Sequence, residues 1–236
     1  MQNKDKIILD LCGGTGSWSN PYKEAGYDVK VITLPEYDVE KWKEYPELVN
    51  LIKNNKIYGI LAAPPCTMFS YARNNKTAKI PRNLREGMKT VVACLEIIWE
   101  CSYEPFRLEE NNLKFWALEN PRGYLKRFLG NPFLEFDPFE YGNDYTKKTH
   151  IWGNFNLPKK NIVSLDKYRE FKKNFVDNVQ HFYNEKKVFI PDGYKQKVYK
   201  YLKEKGTNQA YSDFEMSTVR SITPDGFAKA FFEANK

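Results

Sequence analysis

A chain of 236 residues is long enough for one α/β domain with its own hydrophobic core. Four cysteines without a paired spacing and only two histidines argue against a disulfide scaffold and a zinc site. No segment approaches the roughly 18 apolar residues of a membrane span, and no signal peptide precedes the first apolar run, so we expect a cytoplasmic protein. The net charge of +7 favours a polyanionic partner such as nucleic acid, although a lysine-rich composition alone can produce it.

The first strand and turn are typical of a nucleotide-binding α/β sheet. The apolar run 6–11 leads into a glycine-rich turn and then a predicted helix at 19–25. The turn lacks the dinucleotide GxGxxG spacing and the P-loop GK[ST], which disfavours NAD and ATP. Asp followed by spaced glycines is the pattern of S-adenosylmethionine enzymes of this class, and an ordinary tight turn is the alternative. The candidate cofactor-binding residues in this stretch are Asp10, Cys12, Gly13, Gly14, Gly16 and Trp18.

A second strand is predicted at 27–33 and a helix at 39–54. A carboxylate just past the second strand usually binds the cofactor ribose. Glu36 and Asp38 both follow slightly later than that position, and either of them could serve.

The third strand, predicted at 57–63, ends at two prolines that hold the chain in a rigid, extended turn. Cys66 follows at the tip of this turn. A thiol on a stiff loop at the carboxyl end of a strand suits a nucleophile, and a buried structural cysteine is the alternative. The polar loop beyond it, with Arg73 and Arg82, suits phosphate contacts or an active-site lid, or is a plain solvated loop.

Asn83 is the predicted N-cap of a long helix, in which Cys94 and Cys101 belong to the apolar face. The strand that follows, predicted at 113–118, again ends in an acid and a proline turn. If this strand neighbours the third one, Glu119 faces the same crevice as the cysteine thiol. Because a carboxylate near a thiolate is unfavourable unless one group keeps a proton, we expect Glu119 to be a proton donor.

The remaining elements are less regular. Thr223 is the predicted N-cap of a last helix, with Pro224 at its first position. Lysines and aromatic residues alternate after residue 154, which indicates a substrate-reading segment. The other predicted elements are an edge strand at 134–141 interrupted by Pro138, a strand entered by a basic turn at 145–153, and a short basic helix at 194–205.

Three stretches in this order resemble the cytosine-5 DNA methyltransferase family, especially its small phage and prophage members. They are Asp10 to Gly16, Pro64-Pro65-Cys66 with Phe69-Ser70, and Glu119-Asn120-Pro121. The resemblance implies a Rossmann-like S-adenosylmethionine-dependent methyltransferase fold, an α/β sheet that is mostly parallel with helices on both faces and a small C-terminal insertion. It divides the chain into a catalytic core at 1–153, a reading segment at 154–216 and a returning helix at 217–236.

The resemblance also implies roles for individual residues. Cys66 is the nucleophile and Glu119 the acid, with Lys147 or Lys148 as a cation near the base where the family has arginines. The cofactor is S-adenosylmethionine, with Pro64 added to its site, and the substrate is DNA. The implied substrate-binding residues are Pro65, Ser70, Arg73, Asn120 and Arg122.

The chain departs from the family at Pro121, where valine is usual, and at Thr67, where glutamine is usual. The family's C-terminal cofactor block is not recognisable near 217–223. These departures leave RNA or a free cytosine nucleotide as alternative substrates, and a catalytically retired nucleic-acid-binding protein as an alternative function. The presence of Cys66 together with Glu119 favours an enzyme, because a retired site has no need for both.

Overall fold

The computed structural model describes residues 2–71, 81–102, 112–143, 146–161, 166 and 222–236. Arg73, the predicted helix at 194–205 and nearly all of the predicted reading segment lie outside these ranges. None of the helices within them combines the length and the hydropathy that a membrane crossing requires.

Within the described ranges, six strands form one sheet in the order β2-β1-β3-β4-β6-β5. Strands β1 to β4 pair in parallel, whereas β6 runs antiparallel to both of its neighbours. The prediction of a mostly parallel sheet was therefore wrong, and the sheet is mixed. The strands are β1 (Ile7–Leu11), β2 (Asp28–Ile32), β3 (Ile57–Ala62), β4 (Phe115–Pro121), β5 (Leu134–Phe136) and β6 (Thr149–Asn154).

Helices cover both faces of this sheet. Buried residues of α2 and α3 join one core cluster with alternate residues of β1, β3 and β4, and residues of α1 and α5 join the cluster on the opposite face. The α-helices of the described part of the chain are α1 (Asn20–Glu24), α2 (Pro46–Lys53), α3 (Leu84–Ser102), α4 (Lys126–Leu129) and α5 (Asp225–Ala234).

Several predicted element bounds moved. The helix expected at 39–54 is split into a 3₁₀ segment, Val39–Glu44, and α2. Tyr45 between them is extended because the following Pro46 disfavours the helical conformation before it. The last helix is capped by Pro224 and not by Thr223, whose N–H donates to the Ser17 hydroxyl. Strand β4 runs on to Pro121 instead of ending at residue 118.

Candidate functional site

The candidate site lies where the strand order reverses. The chain goes from β1 to β2 on one side and returns to β3 on the other side of β1. Open α/β sheets bind ligands outside the carboxyl ends of the strands at such a point, because the loops diverge there and leave a crevice. The glycine-rich turn follows β1 and the Pro-Pro-Cys turn follows β3, so both predicted motifs flank this crevice.

Asp10 supports the glycine-rich turn from beneath. Its side chain is fully buried, and one carboxylate oxygen accepts a hydrogen bond of 2.5 Å from the Ser19 hydroxyl. A Cβ added at Gly13 would overlap the Asp10 carboxylate, so this position requires glycine. Burial raises the pKa of Asp10 to about 6, and the Ser19 hydrogen bonds oppose the rise. Asp10 thus orders the loop, and Ser19 is a partner that the sequence did not single out.

The backbone of the turn is left-handed at Cys12, Gly14 and Gly16. The Gly14 N–H donates to the Thr33 hydroxyl at 3.3 Å, which fastens the turn to the end of β2. The Cys12 side chain packs against the core cluster that contains Cys94. A hydrogen bond with Cys12, together with burial, raises the pKa of the Cys94 thiol. The prediction that Cys94 is a core residue is confirmed.

Trp18 turns away from the crevice. Its side chain is 2% exposed, and its ring lies 5.9 Å from that of Phe227 and 5.4 Å from that of Phe231 on α5. The structure thus places this predicted cofactor-binding side chain in the core, where it fixes the turn against the last helix.

The two acids after β2 differ in their environment. Asp38 caps the following 3₁₀ segment by accepting from the Glu40 N–H at 3.0 Å. Glu36 is exposed, three residues after Thr33, which accepts from the Gly14 N–H of the glycine-rich turn. Of the two, Glu36 has the carboxylate available for a ribose hydroxyl.

The Pro-Pro turn presents Cys66 at the start of a 3₁₀ segment, Cys66–Met68. Its carbonyl accepts from the N–H groups of Phe69 and Ser70, both at 2.9 Å. Phe69 is fully buried, whereas the Cys66 side chain is partly exposed. The turn is therefore anchored in the core while its cysteine stays accessible, which disfavours the purely structural interpretation of Cys66.

Asn120 joins the second motif to the third. The pairing of Ala62 with Leu118 puts Glu119 level with the first residue after β3. The buried Asn120 amide then donates to the Pro64 carbonyl at 2.9 Å. Pro64 is buried and Pro65 exposed. Asn120, which was predicted to bind substrate, thus positions the Pro-Pro turn that carries Cys66.

A second connection was not predicted. The Arg82 guanidinium donates to the carbonyls of Met68 and Ser70, the latter at 3.1 Å. It also stacks on Tyr124, with the guanidinium carbon 4.8 Å from the ring centroid. The predicted substrate contact Ser70 forms a bridge with Gly123. The loop of Arg82 was expected to contact phosphate, to form a lid or to be solvated, and the structure instead shows the Arg82 guanidinium bound to main-chain carbonyls. No local sequence pattern distinguishes these roles.

Glu119 is partly buried and near a cation. Burial raises the pKa of its carboxyl, and the positive charge of Lys147 opposes this rise. The structure thus brings Glu119 and Lys147 together at the carboxyl end of β4. A carboxyl with a raised pKa retains its proton more readily near neutral pH, as a proton donor requires.

Lys148 is engaged elsewhere. Its ammonium pairs with Asp137 at 3.0 Å and with Glu135 at 3.6 Å. Arg122, predicted to bind substrate, is exposed. Burial raises the pKa of the Glu135 carboxyl, but His150, Lys148 and the charge of Arg122 together bring this pKa below its usual range. Of the two predicted lysines, Lys147 is the one beside Glu119.

A cleft of about 430 Å³ opens elsewhere, between α3, β4 and β6. Trp116 and Trp152 are among its lining residues, and it contains none of the predicted site residues. The described ranges also contain no group of three His, Cys, Asp or Glu side chains placed to hold a metal ion.

A scan against protein-family models found no match to the chain, and neither did a search of curated proteins. The site must therefore be interpreted from its own residues and their geometry.

Proposed function

We propose that the protein is an S-adenosylmethionine-dependent methyltransferase that modifies carbon 5 of cytosine in DNA through a covalent bond between Cys66 and carbon 6. The main support is the hydrogen bond of 2.9 Å from the Asn120 amide to the Pro64 carbonyl. It ties the strand end that carries the acid to the turn that carries the thiol. Glu119 and Cys66 thereby lie on two segments that the buried Asn120 and Pro64 join by a hydrogen bond.

The chemistry needs both groups. Carbon 5 of cytosine is a weak nucleophile, and addition of the Cys66 thiolate to carbon 6 makes it enamine-like. Negative charge then develops toward N3, where the Glu119 carboxyl donates its proton. The raised pKa of Glu119 supports this role, and Lys147 offsets the negative charge of the carboxylate that remains. Bound S-adenosylmethionine would supply the electrophilic methyl group, and loss of the proton from carbon 5 to water would then expel the Cys66 thiolate and restore the ring.

The residues around the glycine-rich turn fit such a cofactor. Gly13 is close-packed on Asp10, whereas a Cβ at Gly14 would meet no atom within 4 Å, so the outer face of the turn is open. Asp10 also has a buried carboxylate oxygen without a hydrogen-bond partner among the described residues. We assign the turn to the methionine part of the cofactor and Glu36 to its ribose. On this assignment we propose that the fold is Rossmann-like.

Methyl transfer from radiolabelled S-adenosylmethionine tests this function. We expect label to enter duplex DNA, and Cys66→Ala to abolish transfer while the cofactor still binds. Cys101→Ala, which removes a buried thiol of α3 instead, should retain transfer. Retained transfer in Cys66→Ala would contradict the mechanism. Label in RNA or in a free cytosine nucleotide, and none in DNA, would contradict the assigned substrate.

A further inference from the structure

The segment from the end of β4 to the start of β5 carries positive side chains and no acidic one. Residues 120–134 contain three cationic side chains and no acidic one. Arg122, Lys126 and Arg127 are all exposed, and within the described ranges none of the three forms an ion pair. Exposed cations of this kind are the side chains that contact phosphate groups in nucleic-acid complexes.

The same segment exposes an aromatic ring. Phe128 has 51% of its surface accessible, next to Arg127 in the chain. The Arg127 guanidinium carbon lies 5.0 Å from the centroid of the Tyr124 ring. Exposed rings between cations are the arrangement that binds single strands, because bases stack on the rings while the cations follow the backbone. We call Arg122, Lys126, Arg127 and Phe128 the basic strip.

Two cations of the basic strip act on one neighbouring side chain. Burial lowers the pKa of His150, the Glu135 carboxylate opposes this, and the charges of Lys126 and Arg122 lower it further. Around His150, the Glu135 carboxylate lies at 2.7 Å and also pairs with Lys148. The Glu135 carboxylate is therefore already engaged by His150 and Lys148 and forms no ion pair with the basic strip among the described residues.

The basic strip adjoins the turn that carries Cys66. The Tyr124 N–H donates to the Phe69 carbonyl at 2.9 Å, and a Cβ at Gly123 would overlap that same carbonyl. The chain can approach the turn this closely only because residue 123 is glycine. The start of α4 therefore lies next to the turn to which a target cytosine would have to come.

We propose that the basic strip binds the DNA strand that carries the target cytosine, with phosphates on Arg122, Lys126 and Arg127 and the unstacked face of a neighbouring base on Phe128. This rests on the proposed function, since the strip is placed relative to Cys66. It adds a contact surface for the target strand that lies entirely within the catalytic core. Cytosine must leave the stack to be modified, which leaves the bases next to it without a stacking partner on that side and gives the ring a base face to contact.

Binding of a labelled DNA duplex at several salt concentrations tests the strip. Each lost phosphate contact lowers the slope of log affinity against log salt by roughly 0.9. We expect this loss for Lys126→Ala but not for Lys4→Ala, which removes an equal charge at the amino end of β1. Phe128→Ala should weaken binding about tenfold at an unchanged slope, with rescue by Phe128→Tyr.

Equal slopes of log affinity against log salt for Lys126→Ala, Lys4→Ala and the unaltered protein would overturn the proposed role of the basic strip. Methyl transfer by the unaltered protein, measured on the same duplex, separates the two proposals. Normal methyl transfer with equal slopes overturns only the proposal that the basic strip binds DNA. Absence of both transfer and salt-sensitive binding overturns the proposed function and the strip together.

Discussion

The buried carboxyl of Asp10 should make the protein less stable as the pH rises from about 4 to about 6. Burial raises the pKa of Asp10 from 3.8 to about 6, against the hydrogen bonds from Ser19. The folded protein thus keeps a proton that the unfolded chain releases in this interval, so the free energy of unfolding falls with pH. Since one pKa unit corresponds to about 1.4 kcal/mol, the predicted loss from this group is about 3 kcal/mol.

Urea unfolding followed by tryptophan fluorescence across this pH interval measures the effect. Asp10→Asn removes the titration and keeps an oxygen for the Ser19 hydroxyl. Between about pH 4 and 6 the free energy of unfolding of this variant should therefore fall by about 3 kcal/mol less than that of the unaltered protein. Glu47→Gln, which replaces an exposed carboxyl on α2, is the control and should parallel the unaltered protein. A parallel curve for Asp10→Asn would refute the reasoning.

Three further variants test the two turns and the acid of the proposed site. Asn120→Ala leaves the Pro64 carbonyl unpaired and should cost about 1–3 kcal/mol in urea unfolding; an unchanged midpoint would mean that the hydrogen bond of 2.9 Å adds no stability. Gly13→Ala drives a methyl into the Asp10 carboxylate, and calorimetry should find S-adenosylmethionine bound at least about tenfold more weakly. Glu119→Gln should lower the methyl-transfer rate far more than substrate affinity in steady-state kinetics; an effect confined to affinity would remove Glu119 from the chemistry.

The strands that build the site could be predicted from local pattern. The apolar runs at β1 and β3 ended where the structure ends them, within a residue or two, because parallel strands buried on both faces are nearly continuous in hydrophobicity. The Asn83 cap was also confirmed, with its side-chain oxygen accepting from the Glu86 N–H at 3.2 Å. Proline and glycine marked the turns correctly, since both act on their own backbone.

The direction of β6 could not be predicted in this way. Its register with β4 pairs Asn120 with His150, thirty positions further along the chain. No local pattern encodes such a pairing, and a parallel strand would have the same residue alternation. The expectation of a mostly parallel sheet was wrong for this reason.

Side-chain partners were the least predictable part of the site. Lys147 and Lys148 are adjacent in the sequence, yet the first acts on Glu119 and the second pairs with Asp137. Both lysines lie just before β6, and their partners come from β4 and from the segment after β5, which are distant in the sequence and encoded by no local pattern. Trp18 was likewise predicted to bind the cofactor because it follows the glycines in the sequence. Its packing depends instead on α5, more than 200 residues away.

Covalent trapping tests the central claim most directly. Fluorine at carbon 5 of cytosine blocks the final elimination, so an enzyme that attacks carbon 6 stays attached to its substrate. With S-adenosylmethionine and duplex DNA that contains 5-fluorocytosine, intact mass spectrometry should find protein plus one DNA strand, and peptide mapping should place the bond on Cys66. Cys66→Ala should give no adduct and Cys101→Ala a normal one. A protein that binds the cofactor and this DNA but forms no adduct would contradict the account.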